Sequence, residues 1–347
     1  MSKFSPYRPD YTFVEKVNRT RVLVGASSKA IWKLISQGCG FAASVEITDR
    51  CNAGCHYCYV YPSHWDQQQR MAGYLQLTPQ EHRNNELQVF EVLEKLHKKG
   101  VVHLTLVGGE PALAPKVIQH AAQIFPIVWV VSNGAAKLPP LPNSVSVFIS
   151  LDGLKEYHNR SRDPKGYFDK NHYGNLTGMS AAIARNINES ERGAFIHLTL
   201  TPPVISQFSE IVDWLVADIK KLRGIVVSGA TVQNHLDPLA FKLEDRQRLK
   251  QLIANKAQEY GWQLFPFNKP KVNQFLFDEK YIIRKASDCV IARRIESLDF
   301  NGNSVGKCIL RNQAVCETCV CNMTGLQRAI EKFDISTIRG VISTLFS

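Results

Sequence analysis

Between residues 78 and 100 the stretch TPQEHRNNELQVFEVLEKLHKKG sets apolar side chains at Leu87, Phe90, Leu93 and Leu96. That is the three-to-four-residue period of a helix with one buried face. Thr78 stands at the N-cap position, Pro79 at the first helical position and Glu81 at the third, and a lysine-rich end runs into Gly100. Elsewhere the pattern shortens to apolar runs at 45–48, 102–107, 127–131, 145–151, 194–200 and 224–232, which predict six strands. Helical patterns lie between several of them, at 115–124, 174–187 and 207–222, and another covers 243–260. Alternating strands and helices predict an α/β fold with a parallel sheet, and the sequential order predicts a partial (β/α)6 barrel.

Ligands gather at the C-terminal strand ends of such a barrel. Here those ends read TDRCNAGC, GGEP, SNG and SLDG, all rich in small or polar residues. Past residue 262 the pattern changes. FPFNKPKVNQF reads as a connector, and after it come Cys289, a hairpin-like LDFNGNSVGKC with an Asn-Gly turn, and CETCVC. These features predict a small separate cysteine-rich module with its own metal. The expected organisation is an N-terminal extension (1–40), the barrel (41–262) and the C-terminal module (263–347).

Composition narrows the chemistry. With 44% hydrophobic and 21% charged residues among 347, the chain has the make-up of a soluble globular protein. Its longest apolar run, IVWVV at 127–131, is too short to span a bilayer, so no transmembrane segment is expected. The opening MSKFSPYRPDYTF lacks an apolar signal core, which predicts a cytoplasmic location. The net charge of +11 suits nucleic acid, an anionic membrane, an acidic peptide or a phosphorylated small molecule, or simply a solvated basic surface. No block of five like charges occurs, and charge alone selects no partner. Nine cysteines without a secretion signal argue for metal or thiolate chemistry over disulfides.

Cys51, Cys55 and Cys58 follow the spacing C-x3-C-x2-C. Soft thiolates bind zinc or iron–sulfur clusters. A closed zinc site builds on C-x2-C pairs, and neither His56 nor His64 has an obvious ligand role. Three thiolates on a cubane leave one iron free for a reactant, as catalytic metal sites keep a position open. Cys39, outside the motif, reads as a small buried core thiol.

With these motifs in order over residues 41 to 232, the sequence resembles the radical S-adenosylmethionine (radical SAM) superfamily. CNAGCHYCY is similar to its cluster motif, with Tyr57 placed to stack near the adenine. GGEP (Gly108, Gly109, Glu110) is similar to its motif for the methionine amino group. SNG (Ser132, Asn133) and SLDG (Ser150, Asp152) resemble the strand ends that touch ribose and carboxylate. In HNRSR, the final Arg162 resembles a clamp for the cofactor carboxylate. The resemblance implies a [4Fe–4S] cluster whose open iron chelates S-adenosylmethionine. Reductive cleavage would give a 5′-deoxyadenosyl radical, which abstracts hydrogen from an unactivated carbon. It also implies a reductant such as flavodoxin or ferredoxin. No catalytic acid, base or hydrogen donor is singled out.

Cys289, Cys308, Cys316, Cys319 and Cys321 resemble the auxiliary-cluster modules of twitch or SPASM type, although the C-x-C ending departs from the full SPASM pattern. The expected site is one auxiliary [4Fe–4S] cluster on Cys289, Cys308, Cys316 and either Cys319 or Cys321, with structural zinc as the alternative. Relatives with such modules often modify ribosomally made peptides. Only 50 residues precede Cys51, too few for a leader-binding domain, so a separate leader-binding protein would be expected beside the peptide precursor. SLDGLKEYHNRSRDPKGYFD and CETCVCNMTG are also similar to the group that adenosylates hopanoid lipid precursors. That keeps radical modification or adenosylation of a small molecule or isoprenoid lipid precursor as an alternative. GGEP is usually missing from the RNA-methylating branch, which disfavours nucleic acid. A non-catalytic zinc scaffold is a reading from another class, and the GGEP, SNG and SLDG series argues against it.

Overall fold

The computed structural model describes residues 3–37, 41–61, 67–70, 78–142 and 144–345. Cys39 and His64 lie outside them. A long helix α1 (Phe13–Gln37) precedes the sheet. The sheet contains β1 (Ala42–Glu46), β2 (His103–Val107), β3 (Ile127–Ser132), β4 (Val145–Leu151), β5 (Ala194–Leu200) and β6 (Leu222–Gly229). Between them run α2 (Pro79–Lys98), α3 (Pro115–Ile124), α4 (Lys155–Arg162), α5 (Gly178–Glu189) and α6 (Phe208–Asp218), and α7 (Leu243–Tyr260) follows β6. The N-cap of α2 forms as the sequence predicts: Thr78 Oγ1 accepts from Glu81 N and the Glu81 carboxylate accepts from Thr78 N at 2.7 Å.

All six predicted strands are present, and a seventh joins them. The order is β6-β5-β4-β3-β2-β1-β7, with every pairing parallel, so the barrel is partial and unclosed. The added strand, β7 (Ile295–Leu298), comes from the segment read as a separate module and pairs with β1 from Ala42↔Ile295 to Val45↔Leu298. IESL is too short, and too evenly split between polar and apolar, to announce a strand; its pairing with β1 makes it one. The chain then turns at Asp299, whose Oδ1 accepts from the backbone of Asn301 and Asn303, with Gly302 at φ 82°. This is the turn the Asn-Gly pair predicts.

The stretch after 262 also packs more deeply than a connector. Phe265, Phe267 and Asn268 are fully buried, and the Asn268 amide satisfies both backbone groups of Val227 at 2.8 and 3.1 Å. A side chain thus stands in for part of a missing neighbour strand at the free edge of β6. Helices α8 (Pro270–Phe277), α9 (Val290–Arg294), α10 (Asn322–Glu331) and α11 (Ile335–Leu345) complete the fold. Val320, Leu326 and Ala329 belong to the same core cluster as the barrel. At its floor Trp129, Phe148, Phe195 and Phe267 pack ring on ring at 4.9 to 5.7 Å.

Candidate functional site

The loop after β1 carries Cys51, Cys55 and Cys58, and all three line a cavity of about 290 Å³ inside the barrel. Gly108, Gly109 and Glu110 line the same cavity, as do Tyr57, Ser132, Asn133, Ser150 and Arg162. Asp152 does not; it lies wholly buried behind Arg162.

The two glycines let one loop lie against another. A Cβ on Gly109 would fall 1.9 Å from the Arg50 carbonyl oxygen, and one on Gly108, at φ 127°, 2.5 Å from that of Thr48. The contact is sealed by Gly109 N donating to Thr48 O (2.8 Å) and Glu110 N to Arg50 O (2.6 Å). The buried Glu110 carboxylate then accepts from Ala112 N (2.8 Å), Ser132 Oγ (2.7 Å) and Asn133 N (2.7 Å). Burial raises its pKa and these three bonds oppose the rise. A carboxylate offers about four acceptor positions, so about one remains for a ligand. Asn133 Nδ2 reaches Asn52 Oδ1 at 2.6 Å, which ties the end of β3 to the cysteine loop.

Arg162 meets Asp152 through Nε (3.0 and 2.9 Å) and Nη2 (2.7 Å). Burial alone would raise the Asp152 carboxyl, but Arg162 and His158 beside it hold it down at about 2. Asp152 therefore orients the guanidinium, and Arg162 Nη1 makes no hydrogen bond among the described residues. Ser161 Oγ adds a bond to the same carboxylate at 2.8 Å.

Several supports of the loop carry no motif. Arg70 donates to the Ala53 and Cys55 carbonyls at 3.4 and 3.3 Å, and Gln67 Nε2 to Asn52 O at 3.1 Å. Gly54 N donates to the Arg162 carbonyl at 2.7 Å. Arg311 donates to the Tyr59 carbonyl at 2.9 Å and to the buried Glu46. Only tertiary proximity reveals these roles.

The five distal cysteines line a second, smaller cavity of about 60 Å³, walled by isoleucines and by Leu310. Arg246 lines it too and donates to the carbonyls of Leu276, Glu317 and Cys319 at 2.6, 2.8 and 3.0 Å. Cys321 faces both this pocket and the barrel cavity.

Burial pushes the free thiols up: Cys51 well above its ordinary value, and Cys55 and Cys308 to about 11. Neighbouring cysteines raise all three further. Such clustered thiols become thiolates only with a cation between them. Among the described residues no three His, Cys, Asp or Glu side chains are set to hold a single ion. A cubane spreads its thiolates over separate corners, which suits three cysteines around a cavity. The unspent acceptor of Glu110 and the unspent donor of Arg162 suit the two ends of an amino acid. The residues present fit both groups.

The Radical SAM superfamily matches residues 45–171 of this chain. Members use a [4Fe–4S] cluster and S-adenosylmethionine. This chain is 29% identical over 168 residues to the sporulation killing factor maturation protein SkfB of Bacillus subtilis (strain 168), covering 43% of this chain and 36% of that protein. It is 25% identical over 224 residues to molybdenum cofactor biosynthesis protein 1 of Bos taurus, covering 58% of this chain and 34% of that protein. The chain thus spans about a third of the length of these relatives. Streptococcus suis SuiB bound to precursor peptide SuiA shares the fold, at a TM-score of 0.51 and 13% identity over 82% of this chain and 63% of that one. Native anSMEcpe with bound AdoMet does so at a TM-score of 0.50 and 13% identity, over 78% and 75%. Among the described residues no helix is long and apolar enough to cross a membrane.

Proposed function

We propose that this chain is a radical SAM enzyme that matures a ribosomally made peptide. The observation that carries the reading is the single barrel cavity that Cys51, Cys55, Cys58, Glu110, Asn133 and Arg162 line together. When bound there, the cluster and S-adenosylmethionine supply a radical able to take hydrogen from an unactivated carbon. The chain's own residues bind and orient. Cys51, Cys55 and Cys58 would hold the cluster, Glu110 would accept from the cofactor's amino group, and Arg162, steadied by Asp152, would donate to its carboxylate. Tyr57, Ser132, Asn133 and Ser150 surround the adenosyl part, and Gly108 and Gly109 keep the loops in register. The apolar lower walls, with Val131, Phe148, Val226 and Met323, exclude water from the reacting carbon.

A peptide substrate is supported by the likeness to SkfB, itself named as a maturation protein. The cavity also suits a small molecule, a second reading favoured by the likeness to molybdenum cofactor biosynthesis protein 1. The reading includes an auxiliary [4Fe–4S] cluster on the distal cysteines, a flavodoxin or ferredoxin reductant, a separate leader-binding protein and a cytoplasmic location. It keeps 41–262 as the catalytic barrel and 263–347 as the segment built around the distal cysteines.

The test is formation of 5′-deoxyadenosine from S-adenosylmethionine under strong reductant. Replacing Cys51, Cys55 and Cys58 with Ala should abolish it. A triple variant as fast as wild type would refute the proposal.

A further inference from the structure

An ion pair links the two cysteine regions, its carboxylate buried and its guanidinium partly exposed. Glu46 ends β1, five residues before Cys51, and is 3% exposed. Arg311 lies between Cys308 and Cys316 and donates from Nη2 to both Glu46 oxygens at 3.0 and 2.8 Å. Its Nε donates to the carbonyl of Tyr59, the residue after Cys58. One guanidinium therefore grips the cysteine loop at its entry and its exit.

Arg311 is held in an unusual conformation to do so. Its φ of 66° lies in the left-handed region, which costs a non-glycine residue about 1 kcal/mol or more. Its loop is folded on itself by Lys307 Nζ to Ala314 O (2.7 Å), Lys307 N to Asn312 Oδ1 (2.9 Å) and Arg311 N to Cys308 O (2.8 Å). The loop's ends are the distal cysteines Cys308 and Cys316. On the barrel side, Tyr59, Leu310 and Cys321 all line the cavity that holds Cys58.

We propose that Arg311 and Glu46 are positioning residues that couple the two cysteine sites. This inference rests on reading both sites as iron–sulfur centres. Filling the distal site pins the 308–316 loop, and the pinned loop delivers Arg311 to Glu46 and to the Tyr59 carbonyl. The cysteine loop is thereby fixed in the shape that binds S-adenosylmethionine. Emptying the distal site frees the loop and leaves Glu46 buried without its cation, an arrangement strongly disfavoured in a low-dielectric interior. Because binding linkage is reciprocal, S-adenosylmethionine binding tightens the distal site by the same factor.

The experiment uses the full chain, reconstituted anaerobically, as wild type, R311Q, E46Q, R311K and the C308A/C316A double variant. Iron per chain is measured, together with S-adenosylmethionine affinity and the change that S-adenosylmethionine makes in the electron paramagnetic resonance of the reduced cluster. We expect R311Q and E46Q to keep the iron of wild type. Both should bind S-adenosylmethionine about 10-fold more weakly, the scale of outer-shell substitutions at metal sites, and lose its spectral effect. C308A/C316A should lose distal iron and show the same weakening. R311K, which keeps the charge but not the planar fork, should recover part of the affinity. Wild-type affinity and spectra in R311Q and E46Q would overturn the coupling while leaving the clusters standing. A wild-type chain that takes up no iron would overturn the reading beneath it.

Discussion

At the scale of single residues, the chain was legible where chemistry needs a motif. Glu110, Asn133 and the three cysteines sit at strand ends in recognisable strings, and the structure sets them around one cavity. Asp152 was legible as a polar strand-end residue, but its place behind Arg162 was not, because a carboxylate looks the same in sequence whichever way it faces. Arg70, Gln67, Arg246 and Arg311 act on backbone carbonyls far away in the chain, and nothing near them in sequence marks that. Histidines in and beside the cavity give this scale a test of its own. Burial holds His103, packed against Trp129 at 4.4 Å, near a pKa of about 4, and does the same for His158 and His197. The unfolded chain takes up these protons near pH 6.5 and the native chain only near pH 4. Native stability is therefore complete above about pH 6.5 and is lost as pH falls toward 4. His103→Phe, which keeps a ring against Trp129, should remove up to about 3 kcal/mol of that loss. Urea unfolding of the metal-free chain at pH 7 and pH 4.5 measures it; an equal pH dependence in both proteins would contradict the burial argument.

At the scale of elements, apolar periodicity located six strands and the main helices because each buries one continuous face. It missed β7, whose four residues become a strand only beside β1, and it read as a connector the segment whose Asn268 closes the edge of β6. Both depend on a neighbour that local sequence cannot show. The contact between the GGEP turn and the cysteine loop is likewise an interaction of two elements. Gly109→Ala would drive a methyl group into the Arg50 carbonyl, which has no flexible end to yield. We expect a loss of about 1–3 kcal/mol in stability, the range for forced overpacking, and S-adenosylmethionine affinity weakened in parallel. Thermal melting and equilibrium binding would show it, and a wild-type melting temperature would mean the two loops do not lie this close.

At the scale of the whole molecule, the distal segment helps to build the barrel. It supplies β7 at one edge and Asn268 at the other, and Cys321 opens onto the barrel cavity. The two sites read from separate stretches of sequence thus occupy one body with a shared core. The measurement that tests this account most directly is iron and sulfide per chain after anaerobic reconstitution, for wild type and for the variant with Cys51, Cys55 and Cys58 replaced by Ala. Two cubanes would give about eight irons in wild type and about four in the variant. Equal iron in the two proteins, or none in wild type, would contradict the assignment of the cluster to these three cysteines.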